Sequence, residues 1–232
     1  MSAKLTIPEP IYYPDSDGKP MADNMLQFDW ITLLSGELRE LYTGRDDVFI
    51  GGDLYWYPLE GDASIRVAPD VLAVFGRPPG YRASYRQWDE AGIPMHVWFE
   101  VLSPSNDDAE MEAKFAFYQR YGVEEYYVIE PFENMVQGWR RRGNRLVEIR
   151  TMNGHVSSRL GVRFEMAEDE LKLFTPDGRK FVQREDRVRE LQVESWRREA
   201  ELKAELNRSK RDRALLAAKL RELGIDPDSL RP

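Results

Sequence analysis

The sequence predicts an α/β domain over residues 21–181, preceded by an irregular arm (1–20) and followed by one long charged helix (182–224) and a short tail (225–232). Three observations carry this. Segments with helical apolar spacing alternate with short β-branched or aromatic runs bounded by Gly, Pro or Asp. Ten Phe, eleven Tyr and six Trp supply large core side chains. Over 182–223 there is neither Pro nor Gly, and the composition shifts to Glu, Arg, Lys, Ala and Leu.

Pro8, Pro10, Pro14 and Pro20 with a DSDG turn make the arm irregular. A first helix is expected over 23–42, where Gln27, Ile31, Leu34, Leu38 and Leu41 recur at helical spacing and Gly44 stands beyond the end. Three strands follow, over 48–57, 65–75 and 96–102. The stretch 76–95 between the last two is too long for a simple turn. A second helix spans 107–121, with Ser103, Pro104, Ser105 and Asn106 as capping chemistry and Gly122 as its stop. Next come a strand over 125–130, a hairpin of 135–142 with 145–150 across Gly143-Asn144, and short strands over 162–166 and 171–174.

Bulk properties narrow the function classes. No apolar run approaches the roughly 18–20 residues that span a bilayer, and MSAKLTIPEP lacks a signal peptide's apolar core, so a cytoplasmic protein with no membrane partner is expected. With no cysteine there is no disulfide, thiolate metal site or Cys nucleophile. The net charge of −8 argues against a general nucleic-acid binder, although a carboxylate-rich metal site adds negative charge of its own.

The chemistry concentrates on two acids. Asp70 interrupts the apolar run Val67-Ala68-Pro69-Asp70-Val71-Leu72-Ala73-Val74, and Glu100 interrupts Val97-Trp98-Phe99-Glu100-Val101-Leu102. An ionised carboxylate among such neighbours is costly to desolvate unless it is paired or bound to a cation. Two such strands side by side make a hard-oxygen site suited to Mg²⁺. Taken singly, an acid at a strand end is more often one half of an ion pair.

Pro69-Asp70, the segment Phe99-Glu100-Val101-Leu102-Ser103-Pro104-Ser105, then Lys114, Phe117, Tyr118 and Tyr121-Gly122-Val123-Glu124-Glu125-Tyr126-Tyr127 together resemble a restriction-endonuclease-like family of the PD-(D/E)XK nuclease superfamily, long labelled a domain of unknown function. The likeness covers roughly residues 20–180, and segments such as Gly52-Asp53-Leu54 and Trp56-Tyr57-Pro58 resemble a subgroup of it. It implies a mixed sheet flanked by helices, built as helix, three antiparallel strands, helix and a further strand. It also implies a divalent ion, Mg²⁺ or Mn²⁺, on Asp70, Glu100 and the backbone carbonyl of Val101, with DNA as substrate.

One position departs from the motif: its lysine should stand two residues after the acid, where this chain has Leu102. Members of the superfamily can supply that lysine from the next helix, and Lys114 is the candidate. The helical wheel points the same way, because Met111, Phe115, Phe117, Tyr118 and Tyr121 form an apolar arc with Lys114 near its middle. Alternatively, its stem snorkels past that arc to solvent. Gln27 and Glu37 within the first helix's apolar arc, and Asp53 after Gly51-Gly52, are accessory candidates.

In the long loop, Arg77, Arg82 and Arg86 alternate with Tyr81, Tyr85 and Trp88, a combination that holds phosphates and stacks bases, or else packs as a flap or dimer contact. Arg140-Arg141-Arg142 reads as a solvated edge rather than a phosphate contact. His96 and His155 lack a metal-like His partner at short spacing and read as structural.

The expected activity is therefore metal-dependent hydrolysis of DNA by Asp70, Glu100 and Lys114. The rivals are a glycoside hydrolase built on two carboxylates and a catalytically inactive nuclease-like fold acting as an assembly module through its tail. In that tail Val188, Ser195, Leu202, Ser209, Leu216 and Leu223 fall seven apart, while the companion positions mix Leu191, Leu206 and Leu220 with Arg198, Glu199 and Asp212. This is a weak coiled-coil seam, and a homodimer is expected from it.

Overall fold

The computed structural model describes residues 11–16, 18, 20–167 and 170–222. Most of the expected N-terminal arm, and the stop signals Gly224, Pro227 and Pro232, lie outside them. The chain divides into two compact units, Met1–Gln183 and Arg184–Pro232.

The first unit is built on a six-stranded mixed sheet. Its helices and strands are α1 (Met25–Leu41), β1 (Val48–Gly51), β2 (Trp56–Tyr57), β3 (Val71–Phe75), β4 (Tyr85–Arg86), β5 (Val97–Val101), α2 (Asp108–Tyr121), β6 (Glu125–Glu130), β7 (Met135–Arg142), β8 (Arg145–Glu148), β9 (Arg163–Met166) and β10 (Leu171–Phe174). The sheet order is β1-β3-β5-β6-β7-β8. Neighbours are antiparallel except β5 and β6, which run parallel. Parallel neighbours need a crossover, and α2 provides it.

Both faces of the central strands are covered, which explains their nearly unbroken apolar sequences. Val71, Ala73, Val97, Phe99 and Val101 pack in one cluster with Ile31, Leu34 and Leu38 of α1. Their alternate neighbours Leu72, Val74, Trp98, Tyr126 and Val128 pack in a second cluster with Tyr118 of α2. Ile31, Leu34 and Leu38 are each at most 2% exposed. At about 2 kcal/mol for each buried aliphatic chain, they hold α1 on the sheet.

Capping chemistry sets the helix ends. Asn24 accepts the Gln27 N–H at 2.9 Å to start α1. Asp107 accepts the Ala109 N–H at 3.0 Å to start α2, and Gly122 at φ +98° ends it in the left-handed conformation. The cap is therefore Asp107; Ser103 and Asn106 instead close the preceding turn, with the Ser103 N–H donating to Asn106 Oδ1 at 2.6 Å.

Two expected strands are redrawn and an expected loop gains one. The run 48–57 breaks into β1 and β2, because Gly52 and Asp53 turn the chain, Asp53 at φ +50°. The run 65–75 yields a strand only from Val71, because Pro69 has no N–H for a ladder, while Val67 makes an isolated bridge to Trp56. The 76–95 loop is not strandless: β4 pairs in parallel with β2, Trp56 beside Tyr85. The β9–β10 hairpin adds Phe164, Leu171 and Leu173 to the core on the α1 side.

The second unit contains α3 (Arg184–Glu222), 39 residues with none buried. At 1.5 Å per residue it is roughly 58 Å long.

Candidate active site

The β3–β5 register sets Val71 against Phe99, and its continuation sets Asp70 opposite Glu100. Directly opposed residues of an antiparallel pair project to the same face, here the face covered by α2. The two acids are thus neighbours by register, and a backbone bond fixes one to the other's strand: the Val101 N–H donates to Asp70 Oδ2 at 2.6 Å.

The chain before Asp70 is braced from the β1 side. The Asp53 N–H donates to the Pro69 carbonyl at 2.9 Å. At Gly52 a Cβ would lie 2.3 Å from the Asp70 carbonyl oxygen, so the close approach of these two backbones requires glycine.

Glu100 is 2% exposed and both of its oxygens are occupied. Oε1 accepts a short hydrogen bond from the Tyr118 hydroxyl, and Oε2 accepts from Lys114 Nζ at 2.9 Å. Lys114 and Tyr118 are four residues apart on α2, one turn of the same face. Lys114 thus turns inward to the acid; Nζ also lies 3.6 Å from Glu110 at the surface.

The electrostatics show an undercompensated pair. Burial, with the Glu100 charge added, pushes the Asp70 carboxyl up to about 8, against the opposing pull of the Val101 N–H and Lys114. Burial also raises Glu100, with Lys114 and Tyr118 opposing. Burial alone would lower the Lys114 ammonium, but the Glu100 charge and hydrogen bond more than offset it and hold it above its ordinary value.

Asp70 and Lys114 line a cleft of about 640 Å³ together with Gln27, Asp53, Arg66 and Asp23. The buried Gln27 forms part of its wall. Its Nε2 donates to the Val101 carbonyl at 2.8 Å, and its Oε1 accepts the Asp23 N–H at 2.8 Å. Among the described residues no group of three or more His, Asp or Glu side chains forms a ready metal cage. The donor set is two hard carboxylates with the Val101 carbonyl beside them. That set fits a small divalent ion that keeps part of its water shell for substrate oxygens, and the raised Asp70 carboxyl marks a place where a cation would relieve buried charge.

The remaining candidates lie elsewhere. Glu37 accepts from Arg179 at 2.6 Å and from the Val182 N–H at 3.1 Å, tying α1 to the end of the domain, and it does not line the cleft. Arg77 and Arg82 both pair with Glu90 at 2.6 Å, and Arg82 lies over the Phe49 ring. Arg86 pairs with Asp89 at 3.0 Å. None of the three lines the Asp70 cleft. Arg82 and Tyr81 line a larger opening of about 810 Å³ beside β1, which shares only Asp53 with the first. The larger space lacks Asp70 and Lys114, so size does not single out the candidate site. Arg141 caps α2, donating to the carbonyls of Tyr118 and Gln119. His96 accepts the Phe75 N–H at 3.1 Å, and His155 meets the Tyr127 hydroxyl at 3.3 Å.

The roles of two residues at the site escape a reading of the sequence, and of the two only Arg66 lines the cleft. Tyr118 is hidden in an aromatic-rich helix, although its spacing from Lys114 is a signal in retrospect. Arg66 carries no such signal; it enters the cleft with its guanidinium 4.7 Å from the Tyr55 ring centre, a contact that only the tertiary fold creates.

No curated protein matches the chain. A solved structure from Anabaena variabilis, described as a putative nuclease belonging to DUF820, aligns with 60% of this chain and 74% of its own at 14% identity and a TM-score of 0.45. The model of the family described as "Putative restriction endonuclease" matches residues 23–168, a span that holds both acids, Lys114 and every cleft residue named above. The chain belongs to this restriction-endonuclease-like family, Uma2, and its first unit carries the family's nuclease-type fold.

Proposed function

We propose that the domain is a divalent-metal-dependent endonuclease that hydrolyses phosphodiester bonds of DNA, using Mg²⁺ or Mn²⁺. The observation that carries this reading is the undercompensated acid pair: Asp70, which lines the cleft, and the buried Glu100 stand opposed on adjacent strands, both with raised carboxyls. Asp70, Glu100 and the Val101 carbonyl would hold the ion. When bound, it supplies a more acidic water and charge stabilisation at a phosphoryl oxygen.

The chain's own groups have separable parts. The Val101 N–H and the backbone braces at Gly52 and Asp53 orient Asp70. Tyr118 orients Glu100, and Gln27 orients the Val101 carbonyl. Lys114, held protonated beside Glu100, acts as a cation toward phosphate or its attacking water rather than as a base. Arg66 is a further cation within reach of a phosphate in the cleft. We place the protein in the cytoplasm, in keeping with its lack of cysteine; among the described residues no helix is long and apolar enough to cross a membrane. We also assign it a homodimeric state through α3.

One observation favours a second reading, an inactive fold serving as an assembly module: both oxygens of Glu100 already have internal partners. Nicking of supercoiled plasmid separates the two. Cleavage is expected with Mg²⁺ or Mn²⁺, absent in EDTA, and reduced at least a hundredfold in Asp70→Ala and Glu100→Gln. Cleavage undiminished in both variants contradicts the site assignment, and no cleavage by folded wild-type protein on any DNA favours the module.

A further inference from the structure

We infer that α3 pairs antiparallel with the α3 of a second copy, centred near Leu202. The inference rests on the homodimer reading above and adds its orientation.

At 100° per residue, Val188, Leu191, Ser195, Leu202, Leu206, Ser209, Leu216 and Leu220 fall within an arc of roughly 80°. Within the helix this stripe is uncovered: Leu202 is 63% exposed, Leu216 62% and Leu191 57%. Arg184, Arg198 and Arg213 fall inside the same arc, so any partner must accommodate three cations in the seam.

Charge decides the direction. Residues 184–205 hold six basic and seven acidic side chains, net −1, whereas 206–222 hold six basic and two acidic, net +4. A parallel pair lays +4 on +4 and sets Arg198 against Arg198 and Arg213 against Arg213. An antiparallel pair lays each −1 half on a +4 half. Centred on Leu202, it puts Val188 level with Leu216, Ser195 with Ser209, Arg198 with Leu206 and Arg213 with Leu191. Each seam arginine then meets an aliphatic chain along which its stem can lie, with its head free to reach water. Like charges held opposite one another in a seam are a device that excludes a pairing. The occupant with the matching stripe and the complementary charge order is the same helix reversed.

The chain has no native cysteine, so single engineered thiols report orientation cleanly. Full-length V188C and L216C would each be treated with a short bis-maleimide, alone and as an equimolar mixture, and light scattering would follow the untreated wild type in low and high salt. The antiparallel pair predicts covalent dimer from the mixture and little from either variant alone, and a wild-type dimer that weakens as salt screens the attraction. Efficient linking of V188C to itself overturns the orientation while leaving a dimer. A wild-type dimer with no linking in any combination assigns dimerisation to another surface and overturns the inference. A monomer at all concentrations removes the homodimer reading itself, a result distinguishable from the other two.

Discussion

Two buried glutamates occupy neighbouring parallel strands, and the fold treats them oppositely. Glu125 opens β6, beside Val97 of β5, and is 2% exposed, as Glu100 is. It accepts five hydrogen bonds: from the Tyr127 and Ser157 hydroxyls on one oxygen, and from the Ser158 N–H, the Ser158 hydroxyl and the Arg159 N–H on the other. All are local dipoles, so the charge is solvated by the protein itself and the 157–159 turn is tied to the sheet. Glu100 has one hydroxyl and one lysine, and it faces a second acid, Asp70, that accepts from the Val101 N–H. A carboxylate kept for architecture is saturated with donors. The Asp70–Glu100 pair is left short of positive charge, the condition under which a cation adds stability.

Breaking the comparison at its functional end should give the largest effect. Lys114→Met keeps the length and apolar bulk of the chain but removes the cation on Glu100. DNA cleavage should fall by a hundredfold or more. Metal affinity should rise, by about tenfold, because a competing positive charge is gone from Glu100. Calorimetric titration with Mn²⁺ beside a plasmid assay checks both. Unchanged cleavage would remove Lys114 from the chemistry, and weaker metal binding would show that it supports the ion rather than competing with it.

At the architectural end the expected effect is smaller and of a different kind. Glu125→Gln places an amide among five donors and should cost about 2 kcal/mol of stability, read as a lower thermal midpoint. Its Mn²⁺ affinity should stay within twofold of wild type. A large loss of metal binding in a variant that still folds would mean that the two ends of the sheet are not independent.

Much of this contrast was legible in the sequence, for reasons that are local. Asp70 and Glu100 stand out because each interrupts an apolar run, and Lys114 because a cation in an apolar arc has few destinations. The end of α2 at Gly122 follows from the left-handed backbone that glycine allows. The remainder depends on chain segments meeting from afar. Nothing near Glu37 announces Arg179, 142 residues away, so its position in the α1 arc resembled that of Gln27, which does reach the cleft. Arg77 and Arg82 suggested a basic loop until Glu90 folded between them. The apolar run before Asp70 looked like strand because Val67 and Ala68 fit one; Pro69 ends the ladder, and the bridge to Trp56 diverts it.

We propose that Asp70 is half of a cation site whose buried charge the protein leaves uncompensated. Calorimetric titration of Mn²⁺ into wild type and Asp70→Asn at a series of pH values from 6 to 9 tests it most directly. Because burial and Glu100 hold the Asp70 carboxyl up to about 8, an incoming ion must displace its proton below that pH and none above it. The predicted result is an affinity that climbs about tenfold per pH unit below about 8 and then levels, with binding lost in the variant. Equal binding by the two proteins, or an affinity indifferent to pH across that range, would contradict the account.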